Sequence, residues 1–206
     1  GLLVAVIGVG TPTAMLAASA HVVAHALFKS AGFMGVGLVE KRTGTRILTE
    51  LRGSWGMLRW DAAMLILAAV SMAGIPPMLG FISKELLLDS FLTAASPALS
   101  WTLAIVATAG AVLTVAYSLR LVLPLLPGRL GAAQPGEHGP QARAWRDTRT
   151  MSVAVSVPAI LGLALGAGAP LLDPLVRPAA AGAAGADAAS VSGIYLWHGV
   201  NAALLL

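Results

Sequence analysis

The chain predicts an all-α polytopic membrane protein with one proline-broken transmembrane helix, and three observations predict it. Of its 206 residues, 57% are hydrophobic and only 11% charged, whereas soluble domains carry about 25% charge. Mean hydropathy is +0.84, and the apolar residues fall in stretches long enough to cross a bilayer, which needs about 20 residues per helix. Inside one apolar region stand consecutive prolines, Pro76 and Pro77, which remove two backbone donors and end a helix.

Taken in order, Gly1 to Gly10 reads as the tail of a helix, and Thr11-Pro12-Thr13 as a tight connection whose threonines cap the next helix. The first complete span is expected over Ala14 to Leu38. Glu40 to Gly56 is polar around a glycine and reads as a surface loop with a short amphipathic turn. A second span runs from Met57 to Gly74, where Gly74-Ile75-Pro76-Pro77 breaks it. The chain resumes as an apolar segment from Gly80 to Thr93, and Trp101 to Leu126 forms another span. Residues 127–150, rich in Gly, Pro, Gln and Arg, form a surface loop. Ser152 to Leu172 is a further span, with Gly162, Gly166 and Gly168 allowing close helix approach. Ala179 to Ala189 reads as a low-complexity loop, and a partial helix begins near Tyr195. The organisation is thus 1–126 as one bundle, 127–150 as loop and 151–206 as additional helices, in all about five spans plus two fragments. Both ends stand within apolar runs, so the chain is expected to be a piece of a larger polytopic subunit.

Several function classes drop out. Cysteine is absent, which excludes disulfides, thiolate metal sites and a thiol nucleophile. The net charge of +4 is split between loops and lacks an aromatic surface, so the basic residues suit a lipid headgroup surface rather than nucleic acid. The Gly-rich segment Val4 to Gly10 imitates a dinucleotide turn, but the third glycine is out of place and Pro12 interrupts it. No cofactor or metal motif is present. Lys41, Arg42, Arg46 and Arg52 lie in one loop and Arg129, Arg143, Arg146 and Arg149 in the other. Three crossings would separate these loops and put equal positive charge on opposite faces, leaving orientation open.

The chemistry concentrates in two places. His21, His25 and Lys29 recur at i, i+4 and i+8 and stack along one helical stripe. A charge centred in a membrane helix costs about 2.5 to 3.5 kcal/mol on insertion scales, so such a stripe faces a partner or a wet cavity. Histidine exchanges protons near neutral pH, and an amine stripped of water exchanges its proton more readily than one in bulk solvent. A proton or ion path follows, against the alternative of a snorkelling lysine and structurally bonded histidines. The second place is Lys84, Glu85 and Asp89, just after Gly74, Pro76 and Pro77. A discontinuous membrane helix exposes backbone groups and lines a cavity or ion site, though the same acids would also suit a helix start. Tyr117, Ser118 and Arg120 read as an interfacial belt with a snorkelling cation, and His198 sits beside Trp197. Thr43-Gly44-Thr45-Arg46 suggests no chemistry.

The strings His21-x3-His25-Ala-x-Phe28-Lys29-Ser-Ala, Gly44-Thr45-Arg46 and Ser71-Met-Ala-Gly-Ile-Pro-Pro77-x2-Gly80-Phe81-Ile-Ser-Lys84-Glu85 resemble the antiporter-like subunits shared by Mrp-type (multiple resistance and pH) cation/proton antiporters and respiratory complex I. Ala116-Tyr-Ser-Leu-Arg120 and Leu196-Trp-His-Gly-Val-Asn201 are most similar to the A-type subunit of the Mrp branch. The resemblance implies an antiporter-like bundle in which Lys29 and Lys84 are axial lysines of the distal half-channel, with His21 and His25 as relay groups. Glu85, from its place after the break, is expected on the same proton/ion pathway. It implies other subunits of a hetero-oligomeric complex, protons and monovalent cations such as Na⁺, and the lipid bilayer as partners, in a multi-pass cell-membrane protein that is a secondary transporter rather than an enzyme. Gly32 and Gly35 stand where bulkier residues are expected, leaving room for water or close packing. The rival within the resemblance is an L-type proton-pumping subunit of NADH-quinone oxidoreductase. The bland alternative is a scaffold whose buried charges set helix register.

Overall fold

A computed structural model describes residues 1–92, 96–127, 148–184 and 194. Its longest element, α2 (Pro12–Thr43, 32 residues), organises the rest. The Thr11 side chain accepts a hydrogen bond from the Ala14 amide at 3.2 Å, and Pro12 occupies the first turn, where its missing N–H is not needed. At the other end Gly44 adopts a left-handed conformation (φ 76°) and returns its amide to the Glu40 carbonyl. The helix therefore extends five residues past the expected end at Leu38, and Lys41 and Arg42 become last-turn cations favoured by the dipole. Before it lies α1 (Leu2–Val9), closed by left-handed Gly10.

The second antiparallel rod is made of two pieces. Helix α3 (Trp55–Ala73) ends at Gly74 and, after the prolines, α4 (Leu79–Leu92) resumes. Partners change in step along α2: Arg42 meets Asp61, Gly35 faces Leu65, and His21 bonds Ser83 of α4. Thus α3 and α4 form one broken crossing running opposite to α2. At 14 residues α4 is about 21 Å long, short of a hydrocarbon core of about 30 Å. Only α2, α3, α5 (Pro97–Val122) and α6 (Arg149–Ala167) are long and apolar enough to cross among the described residues. The expected five spans reduce to four because Gly80 to Thr93 completes a crossing instead of making one.

That correction moves the loops. Arg42 at the end of α2 donates to Thr148 Oγ1, just before α6, at 2.8 Å from Nη2, and Leu51 of the first loop shares a cluster with Leu125 after α5. The described residues that flank the two basic segments, Thr43 and Leu51 for the first and Leu125 and Thr148 for the second, therefore lie on one face, where the sequence expectation had them opposed. The terminal Arg120 of α5 belongs to the same face. Arg42 also pairs with buried Asp61 at 2.7 Å, so one guanidinium ties α2, α3 and the start of α6. The Thr43–Arg46 segment proves structural: Thr43 bonds back to Val39 and Arg46 pairs with Glu40 at 2.7 Å.

The core mixes leucines such as Leu16, Leu38, Leu58 and Leu65 with many buried alanines, and small residues at the contacts suit helices meeting closely in lipid. A Cβ at Gly80 would overlap the Ser71 carbonyl, and one at Gly166 would overlap Pro77 and Leu79 backbone, so the break is gripped from α3 and α6. A Cβ at Gly35 would come within 2.9 Å of Leu65, making this glycine a packing site, while Gly32 faces open space. Residues 179–184, expected as loop, belong instead to helix α7 (Asp173–Ala184), which packs on α2 with Val176 and Ala180 buried. Alanine's high helix propensity and Pro174 in the first turn explain it. The Ala159 and Gly162 face of α6 is likewise buried. The loop at 128–147 and the partial helix with Trp197 and His198 lie outside the described residues.

The shared basic face makes orientation testable, because short positively charged loops stay cytoplasmic. Single cysteines at Thr49 and Pro127 should react with an impermeant maleimide only in inside-out vesicles, and one at Ala98 only in right-side-out vesicles; labelling of Thr49 and Pro127 from opposite sides would refute the topology. For the clamp, Arg42→Ala should destabilise the protein by about 3–5 kcal/mol, since it strands the buried Asp61 carboxylate, while the Asp61→Leu/Arg42→Leu pair recovers most of that loss. Thermal unfolding of the purified complex measures both.

Candidate functional site

The break and the stripe meet around one cavity of about 500 Å³, lined by His21, His25, Lys29, Met72, Lys84 and Tyr117 among others. The i, i+4 spacing on α2 brings the two imidazoles to 5.7 Å between ring centroids, with Phe28 edge-on to both. His21 is buried and His25 exposed. Nδ1 of His21 lies 3.1 Å from Ser83 Oγ, and that hydroxyl donates to the Gly80 carbonyl at 3.1 Å. With its own proton used, Ser83 accepts from Nδ1–H, which leaves Nε2 of His21 as the nitrogen that takes up or releases a proton.

Lys29, one turn further, holds its ammonium 5.7 Å from the Phe33 ring centroid and 5.9 Å from that of Tyr117. Aromatic faces attract a cation without neutralising it. The half-exposed Tyr117 ring is thus part of the cavity wall, where the sequence reading gave it an interfacial role; neighbouring Ser118 is buried and bonds the Thr114 carbonyl.

Lys84 comes from the other side of the break. Its Nζ donates to the Ala73 carbonyl at 3.0 Å, at the C-terminal end of α3. A helix end inside a membrane must have its last carbonyls satisfied, and a cation there also meets the negative end of the dipole. Gly74 makes this possible: φ is 82°, and a Cβ would lie 2.8 Å from Lys84 Cδ.

Lys84 and Thr114 line a second cavity of about 170 Å³, which adds Glu85 and Thr108. Glu85 is buried, 6% exposed, and it lies on this smaller cavity rather than on the larger one. Asp89, one turn on, lines neither. The geometry therefore unites four of the five predicted groups directly and joins the fifth through Lys84. Ser83 and Thr114 went unassigned in the sequence, and Tyr117 was assigned to the interface instead of the cavity. Thr114 and Tyr117 are spaced i, i+3 on an apolar helix, the one signal that could have found them. No group of acids and histidines able to hold a metal occurs among the described residues.

Residues 1–114 match the family described as NADH:quinone oxidoreductase/Mrp antiporter, transmembrane. A probable K(+)/H(+) antiporter A/B subunit of Rhizobium meliloti is 34% identical over 136 residues, 66% of this chain and 14% of that protein. An Na(+)/H(+) antiporter A1 subunit of Staphylococcus saprophyticus is 29% identical across 98% of this chain and 27% of its own length. Among solved structures, the Mrp complex from Dietzia sp. DQ12-45-1b superposes with a TM-score of 0.79 at 39% identity, covering all of this chain and 21% of that one. The chain thus spans about a seventh to a quarter of the relatives it matches. By sequence and by architecture, it belongs to the NADH:quinone oxidoreductase/Mrp antiporter transmembrane family.

Proposed function

We propose that this chain is the distal proton-handling part, residues 1–126 with its supporting helices, of an A-type subunit in an Mrp-type cation/proton antiporter of the plasma membrane. Protons pass among His21, His25, Lys29 and Lys84, with Glu85 beside Lys84, in exchange for Na⁺ or another monovalent cation. The observation that carries the reading is the single cavity on which all four basic groups open. A stripe of titratable groups in a membrane helix needs a polar partner or water, and here the broken helix supplies both the space and the second lysine. Relatives named for K⁺ and for Na⁺ are both similar to the chain, so the proposal names the monovalent class. Partner subunits of the complex would supply the remainder of the path and the cation site.

Two outcomes test it. In the complete complex, Lys29→Ala should lower cation-driven proton exchange in everted vesicles by on the order of a hundredfold, the scale of losing a positioned proton-transfer group, at normal protein level. Lys29→Arg should fail equally, because a guanidinium keeps its charge but does not release its proton. Normal exchange in the arginine variant would turn Lys29 into a register-setting charge. The purified complex in liposomes should also exchange Na⁺ for H⁺ with no electron donor present. Proton movement that starts only on adding NADH and quinone, with no cation-driven exchange, would favour the redox-coupled branch instead.

A further inference from the structure

The two imidazoles on α2 are one turn apart and are held very differently. His25 is exposed, and among the described residues no hydrogen bond anchors its ring nitrogens. His21 is 5% exposed, and its Nδ1 lies 3.1 Å from the Oγ of Ser83, which is itself fully buried. Ser83 lines neither cavity, and its α4 neighbours Leu79 and Ile82 are fully buried as well. The hydroxyl therefore has no water to take in exchange for the imidazole, and leaving either group unbonded there is costly. Phe28 stands edge-on to the same ring at 6.4 Å between centroids, which restricts its rotation.

The serine hydroxyl has one proton, and that proton is donated to the Gly80 carbonyl at 3.1 Å. A peptide carbonyl accepts the hydrogen bond but has no proton of its own to pass on. Ser83 is thus an acceptor toward His21 and a dead end for proton movement. We infer that Ser83 is a positioning residue that locks His21 in its Nδ1–H tautomer, so that this histidine is loaded and unloaded at Nε2 alone. On loading, the Nε2 lone pair takes a proton from a donor in the cavity and the ring becomes an imidazolium, with Nδ1–H still on Ser83. Loss of the same Nε2 proton restores the neutral ring. His21 is then a side station that holds one proton and returns it, whereas the unanchored ring of His25 is able to turn and exchange at either nitrogen. The transport consequence rests on the proposed proton path; the tautomer does not.

The test uses the complete complex in lipid bilayers, carrying ¹⁵N-labelled histidine, with His21→Gln identifying the His21 signal by its loss. At alkaline pH, where the imidazole is neutral, the wild type should show a protonated Nδ1 and a bare Nε2, the tautomer that imidazole side chains disfavour in water. Ser83→Ala removes the acceptor, so it should move the signal toward the Nε2–H form and lower cation-driven proton exchange about tenfold, the scale of one buried hydrogen bond. Ser83→Thr keeps a hydroxyl at the same place and should retain both the tautomer and the exchange. An Nε2–H signal in the wild type, or a tautomer that Ser83→Ala leaves unchanged, would overturn the lock, and the wild-type spectrum decides even where the alanine variant fails to assemble. An Nδ1–H signal combined with normal exchange in Lys29→Ala would defeat the proton path and leave the lock standing.

Discussion

A helix cannot stop inside a bilayer without something to take its last carbonyls, and here that something is Lys84. Its bond to the Ala73 carbonyl is the interaction on which the rest of the arrangement depends, because a bilayer offers the end of α3 few polar partners. The bond needs Gly74 in a left-handed turn with no Cβ in the way of the lysine stem. The turn in turn needs Gly80 and Gly166, whose bare backbones let α3, α4 and α6 close around the two prolines. One structural requirement thus fixes the Lys84 amine at the break, on the wall of the larger cavity. The same displacement of α4 relative to α3 opens the space that His21, His25 and Lys29 share.

How much of this was legible depended on whether the signal lay along one helix. The stripe of His21, His25 and Lys29 was readable because i+4 repetition survives in any helix. The break was readable because two prolines admit no continuation. By contrast, Ser83, Thr114 and Tyr117 acquire meaning only when α4 and α5 are laid against α2, and spacing along the chain says nothing of that. Arg42 and Asp61 were opaque for the same reason: one reads as a loop charge and the other stands out in no pattern, until the helix runs on to Thr43 and brings them to 2.7 Å. Helix α7 was missed because its prolines and alanines look like a low-complexity linker, although alanine favours helix wherever a neighbouring surface is there to bury it.

The count of crossings shows how a local error spreads. Reading Gly80 to Thr93 as a full span inserts one reversal of direction, and every later loop changes side. A 14-residue helix is too short to cross but long enough to finish a crossing that α3 began. Counted that way, Thr148 comes within hydrogen-bonding distance of Arg42, which no arrangement with the loops on opposite faces could achieve.

The two ends of α2 are consequently built on different terms. At the basic face, a guanidinium is held by Asp61, Thr148 and Ser152, so its charge is compensated in place and the three helix ends are locked together. Around the larger cavity, the charge-bearing side chains on the wall are all bases, and the nearest carboxylate, Glu85, opens on the adjoining cavity through Lys84. A positive charge on one of these bases repels a second on its neighbours, and that repulsion is strong where water is scarce. In the proposed reading, this asymmetry matters: the paired arginine is a fixed strut, while the uncompensated bases form a set in which charge on one member works against charge on the next. Such a set favours single protons moving stepwise over several stored at once, which is what exchange driven by a gradient requires.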